Sequence, residues 1–519
     1  MTSTDVPSAQ GLSPSASGRR MLKVIDQSRC IGCHACTTAC KSENDVPLSV
    51  TRTFVKSVDV GTFPQARRAF QVTRCNQCDD APCVAACPTA AMFTRPDGIV
   101  DFDKSSCIGC KACMAACPYD AIFINPDDHS AEKCNFCAHR LEIGLEPACV
   151  SVCPTQAILV AEADDVAAAA TQIVAREPVM VRRPEKGTRP KLFYRGATQA
   201  TVDPLAAQAP AGDSYAWAEK PAGAHLVQGG HPGGGSSSAA AILSYDIAHR
   251  VPWDWRVSVY TWTKGIAAGA YLVPLLLALG GWLAWDARLL VWIAPSLAVV
   301  ALAATAALLV WDLEHPERFY YVLTRPQWRS WLVRGGVILS GYAVVLGLHV
   351  VAGSVGSTGM RQAVAVPGLP LAAMAAVYTA YLFAQARARD LWQSPLLPAH
   401  LLVQAVLAGA AALLPAAVLS GAPVEPLAWT LAASTLAHVI LVTGELSIAH
   451  PTEHARLAAR AMTHGRYRPF FWGGLALVAT GLVTPWATPA AAWLALPVLL
   501  GLLAHEHSYV QAGQSVPLA

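Results

Sequence analysis

Cysteine placement constrains this chain more than any other feature. All sixteen cysteines lie between Cys30 and Cys153, and they form four groups of four. The groups are Cys30, Cys33, Cys36 and Cys40; Cys75, Cys78, Cys83 and Cys87; Cys107, Cys110, Cys113 and Cys117; and Cys134, Cys137, Cys149 and Cys153. In the C-x2-C-x2-C-x3-C spacing of the first and third groups, three thiolates hold one [4Fe–4S] cluster and the fourth reaches a neighbouring cluster. Sixteen thiolates therefore predict four clusters and a protein that transfers single electrons.

Zinc ribbons and disulfides are the alternative uses of so many cysteines. Zinc sites take two CxxC pairs separated by a longer insert, whereas the cysteines here are closely spaced within each group. In three of the groups a proline directly follows the last cysteine, namely Pro88, Pro118 and Pro154. Disulfides require an oxidising compartment, and closely spaced cysteines in series make a poor framework for a secreted fold. The spacing favours clusters over both alternatives.

Composition divides the chain into four parts. Residues 1–20 are rich in Ser, Pro, Gly and Thr and predict a disordered leader without an export signal, since a cysteine motif and no apolar run follows Arg19-Arg20. Residues 21–198 predict an α+β double ferredoxin-like domain that binds the four clusters. Residues 199–250 predict a Gly/Ala/Pro/Ser-rich linker, and residues 251–519 an all-α transmembrane bundle.

The C-terminal half supplies the apolar residues. Hydrophobic residues make up 54% of the chain and charged residues only 14%, against about a quarter in soluble proteins. Eight apolar runs are long enough to cross about 30 Å of hydrocarbon. They span 257–284, 289–311, 332–353, 363–385, 396–419, 427–447, 469–485 and 488–505, and the last two are the shortest. A net charge of +3 gives no reason to expect a nucleic-acid partner.

Arginine placement predicts the orientation of these eight runs. Twelve arginines fall on the side of the N-terminal domain and only Arg288 and Arg361 on the other side; the twelve are Arg250, Arg256, Arg318, Arg325, Arg329, Arg334, Arg387, Arg389, Arg456, Arg460, Arg466 and Arg468. Positive loops stay in the cytoplasm. We therefore expect a multi-pass protein of the cell inner membrane with the cluster domain and both termini in the cytoplasm, although arginines that dock the domain would give a similar count.

A lipid-soluble quinone is the expected redox partner in the membrane. Haem b would need facing histidines, but His349, His438 and His400 are expected at different depths. Ionisable residues inside the runs are candidates for handling quinone, because each costs roughly 2.5–3.5 kcal/mol at mid-bilayer unless paired or hydrated. Lys264 is the first of these candidates. The small residues that follow it favour close helix packing, which would hold the Lys264 side chain inside the bundle rather than let it reach the membrane interface by snorkelling.

Three further ionisable residues complete the expected quinone-binding or proton-relay group. Asp312 and His315, at the end of the second run, are predicted to lie at a depth near that of Lys264. Together these groups would supply hydrogen bonds to the quinone carbonyls and a route for protons. Glu445 lies near the cytoplasmic end of the sixth run and is either a proton relay or a paired interfacial carboxylate.

Both halves of the chain resemble known families. The segment from Cys30 into Lys41-Ser42-Glu43-Asn44, with CNQCDDAPCVAACP at 75–88, CIGCKACMAACPYDAI at 107–122 and CNFCAHRLEIGLEPACVSVCP at 134–154, resembles the four-cluster subunits of the DMSO reductase superfamily over residues 21–160. The membrane half resembles the polysulfide reductase/NrfD family of quinone-reactive subunits. Its motifs are YTWTKGIAAGAYL at 260–272, which contains Tyr260, DLEHPERF at 312–319, and GELSIAH and GRYRPFFWGG within 444–474.

The resemblance implies how the cysteines pair. Cys30, Cys33 and Cys36 would share a cluster with Cys153, and Cys134, Cys137 and Cys149 one with Cys40. Cys75, Cys78 and Cys83 would share a cluster with Cys117, and Cys107, Cys110 and Cys113 one with Cys87. In such complexes the first pair of clusters faces the catalytic subunit, and the cluster of the third group lies nearest the membrane. This chain departs from the usual pattern because it fuses two subunits that are normally separate.

The resemblance also implies a function. We expect a non-catalytic electron-transfer and membrane-anchor subunit of a quinone-linked oxidoreductase complex, passing electrons between a molybdopterin (Mo/W) catalytic subunit and menaquinone or ubiquinone. The equivalent subunit of a membrane-bound hydrogenase is one alternative, and an ion-translocating redox module is another. The substrate of the catalytic partner and the direction of electron flow do not follow from these residues.

Overall fold

The computed structural model describes residues 20–61, 64–207, 241–487 and 491–518. The cysteines lie in a mixed α/β domain at residues 20–207, called the cysteine domain below. A helical bundle follows at residues 255–515. The predicted leader at residues 1–19 and the centre of the predicted linker, residues 208–240, lie outside the described residues.

The cysteine domain is built on a four-stranded sheet around β1 (Met21–Asp26). β8 (Ile158–Glu162) runs antiparallel to β1 on one side and β10 (Leu192–Arg195) parallel to it on the other, with β9 (Val179–Met180) beyond β10. The strands that follow the last cysteine therefore close the domain by pairing with its first strand. Val24 and Ile25 are successive residues of β1 and point to opposite faces of the sheet, and both are fully buried in different apolar clusters, so both faces are covered.

The remaining elements of the cysteine domain are short. A second sheet pairs β2 (Thr53–Val60) with β3 (Arg67–Arg74), and two hairpins pair β4 (Met92–Thr94) with β5 (Val100–Phe102) and β6 (Ile122–Ile124) with β7 (Ala131–Lys133). The helices are α1 (Ala35–Glu43), α2 (Pro82–Ala86), α3 (Ala112–Ala116), α4 (Ala138–Leu141), α5 (Ala148–Ser151), α6 (Ala169–Arg176) and α7 (Gln199–Val202), with a 3-10 turn at Pro184–Lys186. Cysteines therefore lie on, or at the ends of, the first five helices.

The predicted linker is partly structured. The sequence predicts a linker over 199–250, but residues 199–202 form α7 and residues 242–245 form β11 (Ile242–Tyr245), which pairs antiparallel with β2. The edge of β2 offers unpaired backbone groups, and β11 satisfies them. The strand therefore holds the entry to the bundle against the cysteine domain.

The bundle contains long apolar helices joined by short segments. The helices are α8 (Trp255–Leu279), a π turn at Leu289–Ile293 leading into α9 (Ala294–Trp311), α10 (Tyr321–Thr324), α11 (Trp331–Ser354), α12 (Thr358–Gln385), α13 (Leu397–Ser420), α14 (Glu425–Ser447), α15 (Glu453–Thr463), α16 (Arg468–Ala479) and α17 (Ala491–Ser515). Further 3-10 turns cover Pro316–Arg318, Asp390–Gln393 and Thr480–Trp486. α8 and α13 are the most enclosed of the long helices.

Six helices of the described chain are long and apolar enough to cross a membrane, fewer than the eight runs of the sequence analysis. They are Trp255–Leu279, Leu289–Trp311, Trp331–Ser354, Thr358–Gln385, Leu397–Ser420 and Glu425–Ser447. The seventh run is broken into the 12-residue α16 and a 3-10 turn, and the eighth becomes α17, whose last turns carry His505, Glu506 and His507. These two segments are helical and pack against the six.

Small residues bring α8 and α13 into close contact. A Cβ atom at Gly269 would lie 1.7 Å from the backbone oxygen of Ala405, and one at Gly409 would lie 2.0 Å from the backbone of Gly269. Only glycine fits at either position, as in other tight helix crossings in membranes. The small-residue face that follows Lys264 in the sequence therefore turns inward and takes Lys264 into the bundle.

Hydrogen bonds from side chains of the bundle to backbone carbonyls of the cysteine domain fasten the two parts together. Gln327 donates from its side chain to the carbonyl of Cys87 at 2.8 Å, and Arg318 donates to the carbonyl of Cys107 at 2.9 Å. At Gly109 a Cβ would lie 2.4 Å from Glu314, so glycine is required where the two parts meet. The second and third cysteine groups therefore lie at the contact with the membrane helices.

Candidate electron-transfer and quinone site

Each of the four expected cysteine sets comes together in the structure. Electrostatic interaction links Cys30 to Cys33, Cys36 and Cys153, and Cys40 to Cys134, Cys137 and Cys149; it also links Cys83 to Cys75, Cys78 and Cys117, and Cys113 to Cys107, Cys110 and Cys87. None of the sixteen forms a disulfide. One cavity is lined by the first set and a second cavity by the last. Four converging thiolates around a cavity fit a [4Fe–4S] cluster.

The loops that carry these cysteines share one backbone feature. In each group the second residue after the first cysteine has a positive φ, with values of 71° at Gly32, 48° at Gln77, 69° at Gly109 and 65° at Phe136. This conformation turns the chain back so that amide hydrogens point to sulfur, and the amide of Gly109 donates to the Cys107 Sγ at 3.4 Å. Such bonds stabilise thiolates.

Buried cations surround Cys149. Arg74 is only 2% exposed, and its Nη1 donates to the Cys149 Sγ at 2.9 Å, while the Lys23 Nζ lies 3.9 Å from the same sulfur. Burial by itself would raise the pKa of the Cys149 thiol, but Arg74 and Lys23 hold it at about 7. The Nε and Nη2 atoms of Arg74 have no hydrogen-bond partner among the described residues. A negatively charged cluster held by Cys149 would satisfy such donors.

An aromatic group joins the third cysteine group to the bundle. The Trp253 indole donates to the carbonyl of Cys110 at 3.3 Å. The Trp253 ring stacks on Trp392 and Phe383, with centroid separations of 5.4 and 5.8 Å. Tyr260 belongs to the same buried apolar cluster. A continuous packed path therefore runs from Cys110 to the first turns of α8.

Lys264 lies inside the bundle, one turn beyond Tyr260. It is 1% exposed, and its Nζ donates to the backbone oxygen of Ala376 in α12 at 2.6 Å. The ammonium group also lies 5.0 Å from the centre of the Tyr378 ring, and Glu506 of α17 supplies a neighbouring opposite charge. These contacts rule out snorkelling to the interface as the reason for a lysine at this position.

Asp312 and His315 lie at the contact between the two parts of the chain rather than around Lys264. The Nζ of Lys111 lies 3.5 Å from the Asp312 Oδ1, and burial raises the pKa of Asp312 to about 6 although Lys111 and Arg256 act to lower it. A ring nitrogen of His315 donates to the carbonyl of Asp128 at 2.9 Å. The expected grouping with Lys264 is therefore corrected, because the 312–319 segment binds the cysteine domain. Asp312 still acts electrostatically on Tyr260.

Glu445 lies beside α17, where its carboxylate acts electrostatically on Tyr509, as does that of Glu506. Glu445 lines a small, mostly apolar cavity together with His450, His505 and Tyr509. The structure thus places Tyr260 with Lys264 and Asp312 with His315, while Glu445 lies against the part of α17 that also carries Glu506, the charged neighbour of Lys264.

Two residues next to each other in α17 escaped the sequence analysis. Glu506 is the charged neighbour of Lys264, and His505 lies against His400 and His438. The eighth apolar run of the sequence ends at residue 505, whereas the helix continues to Ser515. The run His505-Glu506-His507 inside an otherwise apolar stretch was the available signal, since buried ionisable residues in membrane helices are costly and functional.

Comparison with protein families agrees with this division of the chain. A family model described as "4Fe-4S binding domain" matches residues 21–42, and one described as "4Fe-4S dicluster domain" matches residues 67–163. A third, described as "Polysulphide reductase, NrfD", matches residues 245–517. The last match covers more than half of the chain.

Curated relatives are similar over about a third of the chain. A tetrathionate reductase subunit of Salmonella typhimurium is 41% identical over 198 residues, which are 37% of this chain and 78% of that protein. A polysulfide reductase subunit of Wolinella succinogenes is 42% identical over 173 residues, 33% of this chain and 91% of that protein. A putative dimethyl sulfoxide reductase iron-sulfur subunit of Halobacterium salinarum is 39% identical over 201 residues, 33% of this chain and 77% of that protein.

Fold, site and similarity together define a class. The chain is an electron-transfer subunit of a membrane oxidoreductase, in which a ferredoxin-type [4Fe–4S] domain precedes a multi-pass helical domain. It belongs to the NrfD polysulphide reductase family, fused to an iron–sulfur domain of the kind that these relatives have as a subunit.

Proposed function

We propose that this chain carries electrons between a molybdopterin-containing catalytic subunit and a membrane quinone. Four [4Fe–4S] clusters, when bound by the four cysteine sets, would supply the one-electron carriage. The observation that carries the proposal is the packed contact from Cys110 through Trp253 to Tyr260, because it places the third cysteine group directly against the membrane helices. The chain itself then needs no bond-making chemistry.

Tyr260 and Lys264 are the residues we assign to the quinone head group. Tyr260 offers a hydroxyl and Lys264 a cation, one helical turn apart on α8 and both buried. A cation stabilises negative charge that develops on a quinone oxygen during reduction. Asp312, whose raised pKa of about 6 lies near neutrality, is suited to supply protons from the side of the cysteine domain. His315, at the same contact as Asp312, and Glu445, beside α17, would also serve proton movement.

The catalytic partner is proposed to bind near the first cysteine group. Cys33 is exposed, and the neighbouring Ile31 is 57% exposed, so an incoming subunit could approach this group closely. The relatives are named after tetrathionate, polysulfide and dimethyl sulfoxide reductases. Sulfur compounds are therefore the first substrates to test with the complete complex.

Metal content tests the cluster number. Sixteen cysteines in four complete sets predict about sixteen iron and about sixteen acid-labile sulfide per chain in anaerobically purified protein. Iron and sulfide analysis, with quantitative spin counting after reduction, measures both. About eight iron or fewer, with zinc bound by the remaining sulfurs, would contradict the four-cluster proposal.

Reporter fusions test the orientation that the arginines predict. A reporter placed after Ala519 or after Gly465 should be active only when it is cytoplasmic, and one placed after Gly356, between α11 and α12, should report the opposite side. Arg318 and Arg325 bind the cysteine domain directly, so the arginine count alone does not decide the orientation. Periplasmic activity after Ala519 would reverse the proposed inner-membrane topology.

A further inference from the structure

Three histidines from three helices meet inside the bundle. His400 of α13, His438 of α14 and His505 of α17 each offer one ring nitrogen, and these nitrogens lie within 4.8 Å of one another. All three side chains are buried, and His438 is completely enclosed. None of the three is a residue that we assign to the clusters or to the quinone, although His505 directly precedes Glu506, the charged neighbour of Lys264.

Hydrogen bonding does not account for these rings. The Nε2 of His400 and the Nδ1 of His438 lie 2.9 Å apart and satisfy each other. Among the described residues, the Nε2 of His438 and the Nδ1 of His505 have no partner. A buried polar atom without a hydrogen-bond partner destabilises the folded protein. Two such atoms in one buried cluster of three rings favour a ligand that they could bind.

The spacing of the rings fits a metal ion. Their centroids lie 4.9, 4.9 and 5.7 Å apart. Three imidazoles around a tetrahedral zinc ion, with Zn–N distances of about 2.0–2.1 Å, have centroids about 5.2 Å apart. Rotation about the soft Cβ–Cγ bond can then aim one nitrogen of each ring at the ion.

We propose that His400, His438 and His505 bind one zinc ion within the membrane domain. Imidazole is a preferred zinc ligand, and three protein ligands leave a fourth position for water or another small ligand. Glu445 lines the same small cavity as His505 and offsets part of the charge of the ion. The ion would tie α13, α14 and α17 together, which gives α17 a fixed place beside the six long helices.

Metal analysis of the full-length chain, purified with its clusters and washed with a chelator, tests this site. We expect about one zinc per chain, and absorption spectroscopy at the zinc edge should show only nitrogen and oxygen ligands. His438→Gln should lose the zinc and keep its iron. His349→Gln is the matched control, because His349 is also buried in the bundle but bonds Tyr271 and the Leu290 carbonyl, so this variant should keep both metals.

Each outcome decides the proposal. Zinc at one per chain, with nitrogen ligands and lost in His438→Gln, supports it. The proposal is overturned if the wild-type protein contains no zinc, if sulfur atoms ligate the zinc, or if an assembled His438→Gln variant retains the zinc. If His438→Gln fails to assemble, the ligands seen at the zinc edge of the wild-type protein decide alone.

Discussion

Replacing Lys264 with leucine is expected to abolish or strongly impair quinone-linked turnover while dye-linked activity and iron content stay near wild type. Lys264 is enclosed by α8, α12 and α17 and has no route to the interface, so a passive anchoring role does not explain it. Losing one charged contact to a quinone oxygen costs about 1.5–3 kcal/mol, which weakens binding roughly tenfold to hundredfold. Loss of charge stabilisation during reduction adds to this effect. Steady-state kinetics with a quinone analogue measures it.

Two controls separate this role from a structural one. Leucine at position 264 leaves Glu506 buried without its cation, which can cost about 3–5 kcal/mol in stability. The double variant Lys264→Met/Glu506→Gln removes both charges and should assemble, yet still lack quinone activity. Arg361→Leu removes another buried cation of the bundle, about 22 Å along α12 from Ala376 at about 1.5 Å per residue, and should leave quinone kinetics unchanged. Unchanged kinetics in the assembled Lys264→Leu variant would move the quinone site to Asp312, His315 or Glu445.

The cysteine sets illustrate what the sequence could predict. Ligand spacing is local, so the loop conformation around Gly32 and Gly109 follows from the motif itself. The inward position of Lys264 was also predictable, because Gly269 and its small neighbours indicate a tight helix crossing. Both inferences depend on residues that lie close together in the chain.

Contacts between distant segments were harder to predict. The 312–319 segment contains charges that resemble a membrane proton site, yet His315 bonds the carbonyl of Asp128, far away in the sequence. The count of eight membrane runs relied on hydropathy alone. The last run ends at residue 505, and hydropathy gave no indication that α17 continues through Glu506 to Ser515. His505 lies close to His400 and His438 because three helices pack together, and a local sequence pattern does not predict such packing.

Cys110→Ala should impair the reaction with quinone, and Cys33→Ala should impair the reaction with substrate. Each removes one ligand and is expected to cost about four of the roughly sixteen iron atoms. Cys110 borders the bundle through Trp253, so its variant should lose quinone turnover while substrate still reduces the remaining clusters through the catalytic partner. Cys33 is exposed in the first group, so its variant should lose reduction by substrate while quinol still reduces the remaining clusters.

Stopped-flow absorbance of the complete complex, with either substrate or quinol as reductant, measures these two half-reactions separately. The pair is informative because both variants carry the same chemical lesion, so a general loss of stability would impair both half-reactions alike. A linear order of clusters, with the first group at the catalytic partner and the third at the membrane, predicts that each variant loses a different half-reaction. Quinone turnover that persisted in Cys110→Ala, with that cluster shown to be absent by iron content and spectroscopy, would place another group next to the quinone and reject the path through Trp253 and Tyr260.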